Sequence, residues 1–213
     1  MEVEQRCDRE MTRVWKRPAV GEDRFVGVIL VQSSWRGALM RVEQYLFDQL
    51  PLHLKQELQR RVDREFGAIP IVQEHVWAVP NRAVLGLVDG EVVSFLNIVD
   101  RQALADGNPL HLFGLNNVIT EPQHRCRGYS RELNQKFLEF IREEDRDAIG
   151  LLFCADHSIP FYDSLGWKKF DGKVVISQPT GEKEWLSNAM LYKHNKKIDT
   201  SCWREINLCG LPW

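Results

Sequence analysis

The sequence lacks the features that would indicate a membrane-spanning, secreted or metal-binding protein. Its apolar segments, of which FVGVILV is typical, are far shorter than the roughly 20 residues that a helix needs to cross a bilayer. The amino terminus, MEVEQRCDRE, is too charged for a signal peptide. The five cysteines are an odd number without a C-x-x-C pair, which indicates neither a disulfide framework nor a zinc site. We therefore expect a soluble, cytoplasmic protein without a bound metal.

The sequence also lacks an excess of charge of either sign. It has 28 Lys and Arg against 30 Asp and Glu, a formal net charge of −2. Proteins that bind nucleic acids or anionic membranes need a basic surplus, so neither partner is predicted. No internal repeat is evident, and a chain of 213 residues fits one domain. We predict a single domain over residues 1–213, with a variable lead-in over 1–20 and a tail strand within 195–213; a homodimer is left open.

The first half of the chain predicts strands and two helices. RFVGVILVQS is rich in Val and Ile and is typical of a strand. A helix ending at Pro51 is predicted by apolar residues at helical spacing: Trp35, Leu39, Val42, Leu46 and Leu50. A second helix follows from Leu54 to Phe66. AVLGLVDGEVVSFLNIV predicts two strands joined by Asp89-Gly90, because both residues tolerate positive φ. The segment DRQALADGNP is predicted as a polar loop.

The second half alternates strands with helices, which predicts a mixed α/β domain. LHLFGLNNVIT and AIGLLFCA are typical of strands, and KVVISQP, NAMLYKH and EINLCGLPW predict late strands. A helix lies between the first two strands, with its apolar stripe at Leu133, Phe137, Phe140 and Ile141. A second, short helix is predicted over SIPFYDSLG.

The loop PQHRCRGYS, residues 122–130, joins a predicted strand to a predicted helix. A helix start offers unpaired backbone N–H groups and a positive dipole end, which together attract phosphate. Arg125 and Arg127 can add charge-assisted contacts to a diphosphate, and Gly128 lets the backbone approach it closely. A solvated basic turn is the alternative. The loop matches neither the P-loop nor the dinucleotide-binding fingerprint.

This loop resembles the acyl-CoA loop of the GNAT superfamily of N-acyltransferases, in which a Val-x-Pro strand end leads into Arg/Gln-x-x-Gly-x-Gly/Ala. Pro122, Arg125, Gly128 and Ser130 occupy the matching positions, and Cys126 stands where a glycine is frequent.

A second stretch, SIPFYDSLGW, resembles the signature Ala-x-x-Leu-Tyr-x-x-x-Gly-Phe of the same superfamily. The matching residues are Ser158, Phe161, Tyr162, Gly166 and Trp167. The two motifs occur in the expected order, separated by a helix and a strand, and the resemblance covers about residues 83–194.

The resemblance implies a GNAT-type acyltransferase domain, an α/β (α+β) fold with a central mixed, mostly antiparallel sheet flanked by helices. It implies acetyl-CoA as the co-substrate and an amine as the acceptor. The implied contacts to the CoA diphosphate are the backbone N–H groups of Arg125, Cys126, Arg127, Gly128, Tyr129 and Ser130, with Ser158 as a further cofactor contact. The backbone of Val118, Ile119 and Thr120 would pair with pantetheine, and the Val118 N–H would polarise the thioester carbonyl.

The resemblance implies Tyr162 as the general acid, since a phenol with a pKa of about 10 stays protonated at neutral pH. Packing at the helix end is the alternative role. The base stays open because Asn116 stands where related enzymes often carry a carboxylate. The candidates are Asp156, His157, Glu121 and Glu74, with the first two favoured. Cys154 lies in an apolar strand and is expected to be an inert thiol.

The extended stretch ADHSIPFYDSLGW is similar to the aminoglycoside 2'-N-acetyltransferases, which also end at a tryptophan. The implied substrate contacts are Asn116, Asp156 and the terminal Trp213; Trp35, Trp77 and Trp185 can line a sugar site or pack in the core. The tail CWREINLCGLPW lacks both aspartates of that family. We therefore expect an acceptor with fewer amines, such as kasugamycin. Another small amine or a peptide, or a CoA-binding module without catalysis, are the alternatives.

Overall fold

The computed structural model describes residues 27–31 and 40–213. Within these ranges the chain forms eleven strands and four α-helices. In chain order they are β1 (Gly27–Val31), β2 (Met40–Leu46), α1 (Leu52–Phe66), α2 (Pro70–Glu74), β3 (Arg82–Val88), β4 (Glu91–Ala105), β5 (Asn108–Thr120), α3 (Tyr129–Glu144), β6 (Ile149–Cys154), α4 (Ile159–Asp163), β7 (Lys168–Phe170), β8 (Lys173–Gln178), β9 (Gly181–Glu184), β10 (Asn188–Lys193) and β11 (Glu205–Asn207). None of the helices in these ranges is long and apolar enough to cross a membrane.

The strands form one curled sheet in the order β1-β2-β3-β4-β5-β6-β10-β7. A C-terminal extension is attached to the end of β4, where β11 pairs with β4 and β8, and β8 pairs with β9. Within the described residues the pairs β5–β6 and β8–β11 are parallel and the others are antiparallel. The predicted mixed, mostly antiparallel sheet with flanking helices is confirmed.

The two faces of the sheet are covered by different elements. Leu133, Phe137 and Ile141 of α3 pack on one face, which we call the α3 face, together with Leu96 and Ile98 of β4. The opposite face, which we call the α1 face, carries the intervening β4 residues: Phe95 packs in the cluster of α1, and Val99 packs with the C-terminal segment. This alternation decides to which side each central side chain points.

The helix predicted from Trp35 to Leu50 is wrong over its described part, because Met40–Leu46 is strand β2. A spacing of four residues, as between Val42 and Leu46, fits one side of a helix and also one side of a strand, so it cannot distinguish them. Pairing with β3 decides the outcome. The lead-in 1–20, Trp35 and Leu39 lie outside the described residues.

The polar loop predicted over DRQALADGNP is also wrong. Strand β4 continues to Ala105, turns at Asp106-Gly107 and returns as β5. Asp106 and Gly107 have φ of 47° and 79°, the same left-handed turn conformation that Asp89 and Gly90 adopt as predicted. The tail strand predicted within 195–213 shrinks to three residues, Glu205–Asn207, since Gly210 and Pro212 follow closely and disfavour strand pairing.

Two tryptophans pack on opposite faces of the paired strands β5 and β6. An added Cβ on Gly114 of β5 would lie 2.2 Å from the ring of Trp213, which covers the α1 face. An added Cβ on Gly150 of β6 would lie 3.0 Å from the ring of Trp167 on the α3 face. The absent side chains therefore let an indole pack directly on each strand, at the point just before the two strands separate.

Candidate active site

Strands β5 and β6 separate in the middle of the sheet. Their pairing covers Leu112–Leu115 against Ile149–Leu152 and then stops. Asn117, at φ of 50°, lies in a β-bulge that adds a residue to β5 opposite β4. Beyond it, Ile119 and Thr120 pair with β4, while the end of β6 pairs with β10. Among the described strands, none fills the opening between them.

The turn that follows β5 presents a row of backbone N–H groups. Gly128, at φ of 85°, caps α3, and Cys126 is left-handed at φ of 60°. A left-handed backbone favours glycine, which explains why the resembled motif often has glycine at the position of Cys126. Of the predicted donors, the Arg125 N–H is already used, because it donates to the Pro122 carbonyl at 3.3 Å. No residue within the described ranges accepts a hydrogen bond from the N–H groups of residues 126–131, a set that adds Arg131. Together with the α3 dipole, they are suited to bind an anion.

Hydroxyl contacts fix both ends of this turn. Thr120 Oγ1, at the end of β5, lies 2.6 Å from Ser130 Oγ in the first turn of α3. It also lies 2.7 Å from Ser94 Oγ of β4, which donates to the carbonyl of Ile119. Ser130 thus has a structural contact of its own, at the small-residue position of the motif.

Ion pairs join the same turn to α1. The buried Glu121 carboxylate accepts a hydrogen bond from Arg64 at 2.9 Å and forms an ion pair with the Arg61 guanidinium at 3.1 Å. The Arg125 guanidinium donates to both oxygens of Glu65 at 2.8 Å and to the Thr120 carbonyl at 3.1 Å. These contacts direct Arg125 toward α1 and engage Glu121 with two arginines, so neither side chain is free in this structure.

Other cations remain near the start of α3. Arg127 is exposed and donates to the Gln123 carbonyl at 3.1 Å. Arg131 donates to Ser164 Oγ at 3.1 Å and lies 5.7 Å from the centre of the Phe161 ring, which links α3 to α4. The sequence motif did not single out Arg131, because this residue lies just beyond the loop. Its place in the first turn of the predicted helix could have indicated that it lies near a bound anion.

Tyr162 lies on α4 and packs against the α3-face cluster. Its ring contacts Trp167 and Phe161 edge to face, with centroid distances of 6.2 and 5.0 Å. The described residues provide no hydrogen-bond partner for its hydroxyl. Burial, and then the Cys154 thiol, raise the pKa of Tyr162 well above its ordinary value. Burial followed by Asp156 raises the pKa of Cys154 to about 11, so this thiol is not a nucleophile at neutral pH.

Asp156, His157 and Ser158 form the single 3-10 turn between β6 and α4. Asp156 is exposed, and its Oδ1 accepts a hydrogen bond from Asn188 Nδ2 at 2.8 Å. It lines a cavity of about 410 Å³ together with Asp171, Lys169 and Asn188, among others. Ser158 is half-buried and His157 exposed. The fourth base candidate, Glu74, is exposed on α2 and lies outside this cavity.

On the α1 face, the predicted acceptor residues differ in how far they are exposed. Asn116 is half-exposed beside the bulge. Trp213 is 3% exposed and donates to the Leu151 carbonyl at 3.3 Å, so its indole is a core side chain. Trp185 is buried against Phe153 at a centroid distance of 4.3 Å, and Trp77 is half-buried beside it. Of the flanking tryptophans, Trp35 lies outside the described residues.

Comparison with known proteins decides the family. The model of the Acetyltransferase (GNAT) domain matches residues 51–170, more than half of the chain, including the opening, the N–H-rich turn and Tyr162. The chain belongs to the GNAT acetyltransferase family. No curated protein sequence matches it significantly.

Solved structures agree with this GNAT fold. Escherichia coli ElaA is 17% identical, with a TM-score of 0.51, over 72% of this chain and 99% of that chain. The E. coli GNAT family N-acetyltransferase YhbS, solved in complex with CoA, is 15% identical with a TM-score of 0.52, over 84% and 92%. An aminoglycoside 6'-N-acetyltransferase complexed with coenzyme A is 15% identical with a TM-score of 0.48, over 73% and 99%. At these identities the likeness to ElaA and YhbS shows the fold alone.

As a GNAT acetyltransferase, the protein is an acetyl-CoA-dependent N-acetyltransferase. The opening between β5 and β6 and the N–H groups of residues 126–131 fit a donor that carries an extended arm and a diphosphate. No cluster of three or more potential metal ligands occurs within the described residues.

Glu132, in the first turn of α3, bears on the electrostatics of this turn. Its Oε1 is buried and has no hydrogen-bond partner among the described residues. Burial raises the pKa of Glu132 to about 7, although Lys136 acts in the opposite direction. Ionising this carboxyl therefore costs more in the folded chain than in the unfolded chain, where the pKa is about 4.5.

We predict that Glu132→Gln stabilises the protein in a pH-dependent manner. A raised folded-state pKa means that the contribution of Glu132 to stability is present below pH 4.5 and is lost as the pH rises to about 7. The difference in Tm between the variant and the wild type should be positive at pH 8 and shrink toward pH 4.5. Glu144→Gln, at the exposed end of the same helix, controls for loss of a surface charge. A difference that is the same at both pH values would contradict the assignment.

Proposed function

We propose that this GNAT acetyltransferase acetylates an amine of an aminoglycoside-type antibiotic, at a 2'-amino group or its equivalent, and thereby confers resistance. The proposal of acetyl transfer rests on the opening between β5 and β6. The N–H groups of residues 126–131 lie at one end of this opening, and Tyr162 lies beside it. The motif ADHSIPFYDSLGW carries the acceptor part, through its similarity to the aminoglycoside 2'-N-acetyltransferases.

In the proposed mechanism, the N–H groups of the turn bind the CoA diphosphate, and Ser158 is a further contact. The backbone of Val118, Ile119 and Thr120 pairs with the pantetheine arm along the free edge of β5. The Val118 N–H stabilises negative charge on the thioester oxygen as the amine attacks, an effect worth about 10²–10³ in rate where one such donor has been removed. Acetyl-CoA supplies the acyl group and the thiolate leaving group.

Tyr162 protonates the departing thiolate. Its raised pKa keeps the phenol protonated over the working range of pH, and its hydroxyl has no competing partner within the described ranges. Asp156 is the proposed base or amine contact, because Asn188 orients its exposed carboxylate at the end of β6. His157 is the alternative base on the same turn.

The acidic residues available to an acceptor are few, which favours an acceptor with few amines. Asp156 and Asp171 line the cavity at the end of β6, but Lys169 lies there too. The tail has no aspartate after Asp199. A heavily aminated aminoglycoside would gain little electrostatic attraction, so kasugamycin is the preferred candidate.

We predict that Tyr162→Phe lowers kcat by about 10² or more, since a general acid contributes roughly 10²–10⁴ in rate. The KM for acetyl-CoA should change little, because the phenol acts on the leaving sulfur and not on the diphosphate. Steady-state thiol release measures both constants. The control is Phe161→Leu, which alters packing at the same helix without removing a proton donor. An unchanged kcat in Tyr162→Phe would exclude the role as acid.

For the acceptor, we predict thiol release from acetyl-CoA with kasugamycin and weaker release with a heavily aminated aminoglycoside. Spermidine and a lysine-containing peptide complete the panel and represent the alternative acceptors. Mass spectrometry should show one added acetyl group on the antibiotic. Turnover restricted to the polyamine or the peptide would refute the resistance role while leaving the N-acetyltransferase activity intact.

A further inference from the structure

Asn97, on β4, has a buried side-chain amide that makes no hydrogen bond to the described residues. The residue is 4% exposed, and its Oδ1 is buried without a hydrogen-bond partner. Its Nδ2 likewise makes no hydrogen bond to any described residue. A buried polar group without a partner costs about 1–3 kcal/mol, which proteins seldom tolerate without a reason.

Asn97 lies at the separation of β5 and β6. It pairs directly with Asn116 of β5, immediately beside the Asn117 bulge, and with Ala83 of β3 on its other side. Because Leu96 and Ile98 pack on the α3 face, Asn97 points to the α1 face.

The surroundings on the α1 face are apolar on both sides. Phe95 and Ile119 belong to the cluster under α1. Val99 and Trp213 belong to the C-terminal cluster. The amides of Asn97 and Asn116 therefore form a polar strip between two apolar clusters, on the side of the sheet opposite α3.

A second unpartnered polar atom lies on the same face. Trp185 is 7% exposed, and its Nε1 has no hydrogen-bond acceptor among the described residues. It belongs to the C-terminal cluster with Trp213. The α1 face thus carries one unused acceptor oxygen, at Asn97, and one unused N–H donor, at Trp185.

We infer that Asn97 binds the amine acceptor, with its Oδ1 accepting an N–H or O–H of an amino alcohol or amino sugar, directly or through one water. Asn116 contributes the adjacent amide. This inference rests on the proposed acetyl transfer to an amine and names the acceptor class, but it does not depend on which antibiotic is the substrate. A buried amide kept for a ligand is expected to lower the stability of the free protein.

The test compares two buried asparagines. Asn97→Leu removes an amide without any partner among the described residues. Asn134→Leu removes an amide on the α3 face whose Oδ1 accepts the Trp167 indole N–H at 3.1 Å, although its Nδ2 has no partner there. The measurements are Tm of the free protein, KM for acetyl-CoA, thiol release without amine, and kcat/KM for kasugamycin and spermidine.

Asn97→Leu should retain or raise Tm, because an apolar group replaces an unpaired one. It should lower kcat/KM for the amine about tenfold or more and leave KM for acetyl-CoA and amine-independent thiol release unchanged. Asn134→Leu should lower Tm. A Tm loss in Asn97→Leu as large as in Asn134→Leu would overturn the inference even if neither amine is acetylated. An unchanged kcat/KM for the amine would overturn it also. If spermidine is acetylated and kasugamycin is not, only the choice of kasugamycin as the substrate is wrong.

Discussion

The site depends on the loss of pairing between β5 and β6 after Leu115 and Leu152. Paired parallel strands are joined by evenly spaced backbone hydrogen bonds. Here β5 stays paired with β4 on both sides of the Asn117 bulge, while the end of β6 stays with β10. The opening exposes one backbone edge of β5 next to the turn before α3. Without it, the N–H groups of residues 126–131 would have no adjoining space for an extended arm.

The surrounding contacts hold this opening in place from three sides. Trp213 and Trp167 pack on Gly114 and Gly150, which fixes the last paired segment of the two strands. The hydroxyls of Ser94 and Thr120 join β4 and the end of β5 to α3. Ion pairs from α1 to Glu121 and Arg125 hold the turn from the other side. A diphosphate therefore meets a turn that is already ordered, which reduces the entropy lost on binding.

The sequence could predict the parts of the site that are local. The Asp89-Gly90 turn, the apolar stripe of α3 and the two motifs each depend on neighbouring residues, and the structure places them as expected. It could not predict contacts between distant residues. Arg125 is paired with Glu65, 60 residues away, so its guanidinium is not presented as the loop alone indicated. The burial of Trp213 and the isolation of Asn97 likewise depend on packing across the sheet.

The central claim is that backbone N–H groups of residues 126–131 bind the CoA diphosphate. Titration of ¹⁵N-labelled protein with CoA, and separately with pantetheine, which lacks the diphosphate, tests it most directly by amide chemical shifts. The account predicts large downfield shifts for these N–H groups with CoA and small ones with pantetheine, while the β5 edge responds to both. Equal shifts of residues 126–131 with the two ligands, or none with CoA, would contradict it.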